Sequence, residues 1–550
     1  MGARIQVEGL RIAAGANVLV HDVGFVVEPG QVLALIGESG SGKTSIALAV
    51  MGYARRGCRI AGGSVRIGDA DILALPESGK RALRGRRVAY IAQSAAAAFN
   101  PSRRILDQVI EPALLHGVLE RCAAERKAIE LFRELALPDP ETIGQRYPHE
   151  VSGGQLQRVM AAMAFIADPD VVIFDEPTTA LDVTTQIEVL AAFRRVVRER
   201  GVSAIYVSHD LAVVAQMADH ILVLRHGRTR ECTDTARLLA TPADEYTRSL
   251  LDAARVSERA PDAPPETAGT PLLEVAGLSA GYGRVRDGKP EFPVLSDVDF
   301  KLYRGQAIGV IGESGSGKST LARCIAGLIA PVAGTIRLDG KVLPGALARR
   351  DRETLRRVQI VFQHADTALN PSHTVGRILE RPLAFFHDLD AAARRRRVAE
   401  LLDLVKLPSA LAERTSVGLS GGQKQRINLA RALAAQPDLI LCDEVTSALD
   451  PVVAAAILDL IAELRREVNT SYLFISHDMH CVRAVCDGIV VMRHGRNLAQ
   501  IAREDYTRGS HHPYYERLTR SVPELRIGWL DDVLAASDRG VSAPTGENAT

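Results

Sequence analysis

Two stretches of identical spelling, GESGSGK, occupy Gly37–Lys43 and Gly312–Lys318 of a 550-residue chain. Each is followed by a hydroxyl pair, Thr44 with Ser45 and Ser319 with Thr320. The spacing fits G-x-x-x-x-G-K-[ST], in which a glycine-rich turn lets backbone N–H groups close around phosphate oxygens at the start of a helix. In the first copy the cradle is Gly37, Glu38, Ser39, Gly40, Ser41 and Gly42; in the second it is Gly312, Glu313, Ser314, Gly315, Ser316 and Gly317. Lys43 and Lys318 would neutralise the β- and γ-phosphates, and the Thr44 and Ser319 hydroxyls would ligate Mg²⁺.

Two acidic pairs supply the complementary chemistry. Asp175-Glu176 and Asp443-Glu444 each end an apolar run, "VVIF" and "LILC". A buried strand has no reason to finish in adjacent carboxylates unless a cation or a proton transfer uses them, and period-two geometry points the two in different directions. We assign Asp175 and Asp443 to the metal and Glu176 and Glu444 to general-base duty, with His209 and His477 from the two "SHD" triplets on the γ-phosphate. A further motif reads Ser152-Gly153-Gly154-Gln155 and Ser420-Gly421-Gly422-Gln423. Each serine stands where a helix opens and makes a second anion site per copy. Because one copy already holds a complete phosphate cradle, the spare site makes sense if it caps a nucleotide held by the other copy.

The elements that position these residues are duplicated too. "VSGGQLQR" and "LSGGQKQR", "FDEPTTALD" and "CDEVTSALD", "YVSHD" and "FISHD" are all separated by one offset, 268 residues. A constant offset means repeated domains. We place the first at 1–251, a proline-containing connector at 252–271, the second at 272–524 and a tail at 525–550, with a short amphipathic helix at "WLDDVLAA" (Trp529 to Ala536). The apolar runs before the motifs ("VLALI", "AIGVI", "VVIF", "LILC") suit strands covered on both faces. They predict an α/β fold around a largely parallel sheet, with its chemistry at the strands' C-terminal ends.

Composition narrows the partners. Lys plus Arg number 67 against 66 Asp plus Glu, a net charge of +1 that offers no field for a polyanion, so no nucleic-acid partner is expected. The seven cysteines show no metal-ligand spacing and read as buried thiols. The first residues lack a signal-peptide core, and no run reaches the ~18 apolar residues needed to span a bilayer, so a cytosolic chain is expected.

The order of phosphate loop, glutamine (Gln93, Gln363), serine-glycine-glycine-glutamine signature, acidic strand end, "ALD" and histidine resembles the ATP-binding-cassette ATPases, in duplicate. That resemblance implies two P-loop NTPase domains, each a largely parallel sheet core with an antiparallel part and a helical subdomain. It also implies ATP and Mg²⁺ as cofactors, with Gln93 and Gln363 on both nucleotide and metal, and Asp182 and Asp450 on the nucleotide. Intramolecular head-to-tail pairing would set Lys43 against Ser420 and Lys318 against Ser152. Aromatic stacking on the base falls to Tyr282, where the first copy has Ala14. "FNP" and "LNP" after the glutamines, and "EYTRSLLDA" and "HPYYERLTRSVP" after each cassette, resemble the dipeptide, oligopeptide and nickel importer ATPases. Two membrane permeases, an extracytoplasmic solute-binding protein and a place on the cytoplasmic face of the inner membrane would follow. The alternative is a tandem-cassette protein acting on ribosomes, against which the short connector argues.

Overall fold

The computed structural model describes residues 2–179, 181–255, 269–447, 449–506 and 512–538. The chain forms two units, Met1–Arg255 joined by Pro523–Thr550, and Val256–Val522.

The first unit holds two sheets. Strands Asn17–Val27, Ile5–Ala14, Cys58–Ile67 and Ala70–Asp71 pair antiparallel in that order. The second sheet runs Arg228–Asp234, His220–Arg225, Val32–Gly37, Ser203–Val207, Val171–Asp175, Val88–Ile91. Its pairs are parallel except for the edge hairpin at Arg228. Val32–Gly37, Val171–Asp175 and Ser203–Val207 are buried at every position, which explains why they read as unbroken apolar runs. Ile5, Val7 and Val23 of one sheet, Leu33 and Ile173 of the other, and Ile46 and Val50 of helix Lys43–Val50 share a single core. The helix that opens at the phosphate loop is therefore clamped between the sheets, and the loop's C-terminal end cannot shift without disturbing that core.

The second unit repeats the plan. Lys289–Leu302, Leu273–Arg286, Ala333–Leu338 and Lys341–Val342 form the antiparallel sheet. The six-stranded sheet runs Val358–Val361, Leu439–Asp443, Ser471–Ile475, Ala307–Ile311, Gly488–Arg493, Arg496–Ala502. In both units a helical region lies between the glutamine and the signature, with Arg121–Glu134 in the first and Val375–Phe386 and Ala391–Leu404 in the second, and the signature itself opens the next helix, Gly153–Phe165 or Gly421–Leu433.

Three expectations meet the structure at their edges. Of the connector expected at 252–271, residues 256–268 lie outside the described residues. Its first part is helical, because Tyr246, Thr247, Leu250 and Leu251 form a buried stripe that carries helix Glu245–Arg255 onward. Residues 539–550 of the tail lie outside the described residues as well. The helix expected from Trp529 runs to Asp538 and belongs to the first unit, where Trp529 and Leu530 are buried. There the Gln216 amide is fully used: its nitrogen donates to the Glu524 and Arg526 carbonyls at 3.1 and 2.8 Å, and its oxygen accepts from the Leu530 N–H at 3.1 Å. The thiol reading needs a correction, since Cys122 and Cys232 are exposed, one in the first turn of an outward helix and one on the edge strand. Among the described residues no helix is long and apolar enough to cross a membrane.

Candidate functional site

Each phosphate loop joins a buried strand to a helix through backbone that other residues could not adopt. At Gly37 (φ 143°) a Cβ would stand 2.0 Å from the Leu224 carbonyl oxygen, and at Gly312 (φ 152°) 2.2 Å from that of Met492. Gly42 and Gly317, left-handed at φ 97° and 99°, turn the chain into the helix. The buried Lys43 ammonium donates to the carbonyls of Gly37 (2.6 Å) and Glu38 (2.8 Å). Lys318 does the same to Gly312 and Glu313, both at 2.8 Å. Inside each loop the Ser41 and Ser316 hydroxyls are buried without a hydrogen-bond partner. A cation, a helix N-terminus and an unmatched buried hydroxyl in one small concavity fit a phosphate chain.

The acid pairs stand beside the loops. Thr44 Oγ1 donates to Asp175 Oδ1 at 2.9 Å, and Ser319 Oγ to Asp443 Oδ1 at 2.8 Å. Hydroxyl and carboxylate oxygens suit Mg²⁺, which takes its remaining ligands from phosphate and water. Among the described residues no group of three or more His, Cys, Asp or Glu could hold a metal ion.

The parallel register sets Asp175 opposite Val207 and Asp443 opposite Ile475, so each histidine follows two residues beyond its partner strand's end. Glu176 and Glu444 then leave the sheet in the left-handed region, at φ 49° and 51°. Their N–H groups are held by the Val207 and Ile475 carbonyls at 2.9 and 3.0 Å. A non-glycine residue held there costs on the order of 1 kcal/mol or more, and such strain gathers at functional positions. The kink gives each glutamate a neighbourhood separate from the aspartate. Glu176 Oε2 accepts from Gln93 (3.1 Å) and Thr179 (3.3 Å), and His209 Nδ1 lies 3.5 Å from Oε1. Glu444 Oε2 accepts from Gln363 at 2.8 Å, and His477 Nδ1 lies 3.5 Å from its Oε1. Burial works to raise both carboxyls, but the histidines and the loop lysines outweigh it and hold them below the usual range. Both glutamates are therefore ionised at neutral pH.

Other sequence-assigned residues are placed less as expected. The Gln93 and Gln363 amides are directed at the glutamates, and among the described residues no hydrogen bond takes either to the Thr44–Asp175 or Ser319–Asp443 pair. Asp182 caps helix Val183–Arg200, accepting from the Thr185 N–H at 3.0 Å and from the Thr184 and Thr185 hydroxyls at 2.7 and 3.1 Å. Asp450 caps helix Pro451–Val468 through the Val453 N–H at 3.1 Å. A capping signal was available at both: an Asp immediately before a helical pattern. Ser152 and Ser420 cap their helices in reciprocal boxes with Gln155 and Gln423. The second signature glycine permits close packing: a Cβ at Gly154 would meet Thr185 Cγ2 at 2.0 Å, and one at Gly422 would meet Val453 Cγ1 at 2.5 Å. Ser152 and Gly153, like Ser420 and Gly421, are exposed, and among the described residues no hydrogen bond joins Ser152 or Ser420 to the phosphate loop of its own unit. Tyr282 is 40% exposed, its hydroxyl 3.2 Å from Thr320 Oγ1 and accepting from Arg323 at 3.2 Å, which sets it on the helix that opens from the second loop.

Sequence reasoning missed the partner of Asp175. Tyr90, on strand Val88–Ile91, donates to its Oδ2 at 2.6 Å. Burial and the neighbouring carboxylate push the phenol's own titration upward, so it stays a donor. A polar ring in an otherwise apolar strand was the available signal.

Two α/β units, each with a phosphate loop, a hydroxyl–carboxylate metal seat and a glutamate fit to accept a proton, define a nucleotide-hydrolysing protein. The ABC transporter family model matches residues 20–179 and 295–447. The glutathione import ATP-binding protein GsiA of Pectobacterium atrosepticum is 33% identical over 92% of this chain and 86% of its own length. The uncharacterized ABC transporter ATP-binding protein YejF of Escherichia coli is 35% identical over 90% and 93%. The peptidoglycan transport ATP-binding protein YejF of Agrobacterium fabrum is 36% identical over 87% and 88%. Among solved structures, the ADP- and Pi-bound ATP-binding cassette MJ0796 is 28% identical over 44% of this chain and all of its own, with a TM-score of 0.38. The chain belongs to the ABC transporter family as an ATP-binding subunit, and it is an ATPase that works in transport. Nothing in these comparisons supports the ribosome-acting alternative.

Proposed function

We propose that this chain energises the import of peptides or peptide-like solutes, with two ATP sites built head to tail from both units. The observation that carries this reading is the duplication, in each unit, of a phosphate-loop sequence, a hydroxyl–carboxylate pair and a kinked glutamate, together with a signature whose Ser152 or Ser420 is exposed. Each loop is then completed by the other unit's signature, Lys43 with Ser420 and Lys318 with Ser152. The relatives' names favour peptide-like cargo such as glutathione over nickel. Two permease subunits and an extracytoplasmic solute-binding protein complete the system, with this chain at the cytoplasmic face of the inner membrane.

At each site the lysine and the helix N-terminus hold the phosphate chain. Asp175 with Thr44, and Asp443 with Ser319, would hold Mg²⁺, whose charge when bound offsets that of the phosphates. Glu176 or Glu444 accepts a proton from the attacking water as its oxygen bonds to the γ-phosphorus and the bond to the β-γ bridging oxygen breaks, leaving ADP and phosphate. The glutamine amide fixes one carboxylate oxygen and the histidine the other, so the base faces the water in one orientation.

The test is uptake. Co-expressed with candidate permease subunits of a peptide importer, the chain should sediment with membranes and support ATP-dependent uptake of glutathione or short peptides, and Lys43→Ala with Lys318→Ala should abolish uptake. Membrane association without peptide or glutathione uptake would overturn the cargo reading. Failure to associate with any permease would overturn the importer reading itself.

A further inference from the structure

The helix that follows each cassette reaches back to the phosphate loop. Tyr246, on Glu245–Arg255, sets its hydroxyl 3.1 Å from the N–H of Glu38, and Tyr514, on Pro513–Arg520, stands at the same 3.1 Å from the N–H of Glu313. Each tyrosine lies about two hundred residues along the chain from the loop it touches. Both rings are almost wholly buried. The arginine ending the neighbouring strand covers each ring, Arg225 at 4.6 Å from the Tyr246 centroid and Arg493 at 4.9 Å from that of Tyr514. Arg225 also pairs with the Glu38 carboxylate at 3.1 Å.

These contacts converge on one peptide plane. The carbonyl of the Gly37–Glu38 peptide accepts from Lys43 while its N–H donates to Tyr246, and in a trans peptide these two groups point in opposite directions. The Gly312–Glu313 peptide is held in the same way between Lys318 and Tyr514. The lysine holds the peptide from its carbonyl side and the tyrosine from its N–H side, so the tyrosine keeps the peptide oriented whichever acceptors the ammonium takes up. Two separately packed units repeat the geometry, down to the arginine over the ring.

We propose that Tyr246 and Tyr514 are positioning residues for the phosphate loops, and that through them the post-cassette helices set nucleotide affinity. The proposal rests on the loops being the nucleotide sites. It is tested on the full-length chain by replacing the hydroxyl alone, with Tyr514→Phe in a Lys43→Ala background and Tyr246→Phe in a Lys318→Ala background. Phenylalanine keeps the ring, its packing and its contact with arginine.

Loss of one hydrogen bond to the loop should weaken ATP binding at the matching site by about 3- to 10-fold. KM should rise while kcat stays within about twofold, and Tm should stay near that of the parent, because the effect lies on binding. Tyr514→Phe placed in the Lys318→Ala background should leave the Lys43 site unchanged. Unaltered ATP affinity in both phenylalanine variants would overturn the proposal, as would equal losses at both sites together with a lowered Tm, which would signal general destabilisation. If Lys43→Ala and Lys318→Ala themselves leave ATP binding intact, the reading of the loops falls first, and this proposal with it.

Discussion

The two phosphate loops share every residue from glycine to lysine, yet the walls around them differ. Asp175 is gripped from both sides, by Thr44 and by the Tyr90 phenol. Its counterpart Asp443 keeps only the first of these, because strand Val358–Val361 has Ile360 where Tyr90 stands. Burial, reinforced by the charge of Glu444, pushes the Asp443 carboxyl upward despite Ser319, Arg323 and Lys318. The second unit differs instead at Tyr282, which is braced by Arg323, at whose place the first unit has Leu48. The duplicated domains have kept the loop itself and diverged in the residues around it. The first loop stands beside an aspartate held at both oxygens, the second beside a tyrosine braced by an arginine.

The broadest way to break this comparison is to remove the bases. Glu176→Gln and Glu444→Gln keep shape but cannot accept the water's proton, so turnover at the altered site should fall by roughly 10²-fold or more while ATP stays bound. Full turnover in the double variant, with bound nucleotide measured alongside, would dismiss both residues as bases; unequal effects of the single variants would show that the sites do not share the work evenly. A sharper test addresses the base. Tyr282→Ala should weaken ATP at the Lys318 site by on the order of tenfold, within the range that stacking supplies, and bring its ATP-over-GTP preference down to that of the Lys43 site. Equal affinities at the two sites of the unaltered chain, titrated in lysine-disabled variants, would show that the ring has no consequence. The smallest effect concerns the metal seat. Tyr90→Phe releases one oxygen of Asp175, and the Mg²⁺ concentration for half-maximal turnover should rise about 3- to 10-fold at the Lys43 site alone. Ile360→Phe, which adds a ring but no hydroxyl, should leave the Mg²⁺ requirement of the other site unmoved.

What could be read in advance was whatever lies close together along the chain. The strand–glycine loop–helix succession and the paired acids at strand ends are local patterns, which the 268-residue offset merely repeats, and the structure puts Lys43, Thr44, Asp175, Glu176 and His209 into one neighbourhood. The left-handed backbone at Glu176 and Glu444 could not be read, because nothing in an Asp-Glu pair announces φ. Gln93 and Gln363 were assigned to the metal by resemblance, and they face the bases because the kink at the glutamate brings its carboxylate toward them. The aspartates of the "ALD" elements cap helices, and for that role the sequence does carry a local signal, an Asp immediately before a helical pattern, beside the nucleotide role that the resemblance implies. The tyrosine behind each loop depends on where a distant helix packs, which no local pattern encodes.

The return of Pro523 and the residues after it to the first unit also bears on how the chain is made. Gln216, whose amide is satisfied by Glu524, Arg526 and Leu530, is synthesised some three hundred residues before them. At about 5–20 residues per second, the ribosome needs on the order of tens of seconds to deliver these partners. Until then the seat of Trp529 and Leu530 is open, and the earlier cassette waits on the later one for its final piece. Two genes cut at the connector would thus separate the first cassette from a segment that packs on it, since the second product would carry that segment away.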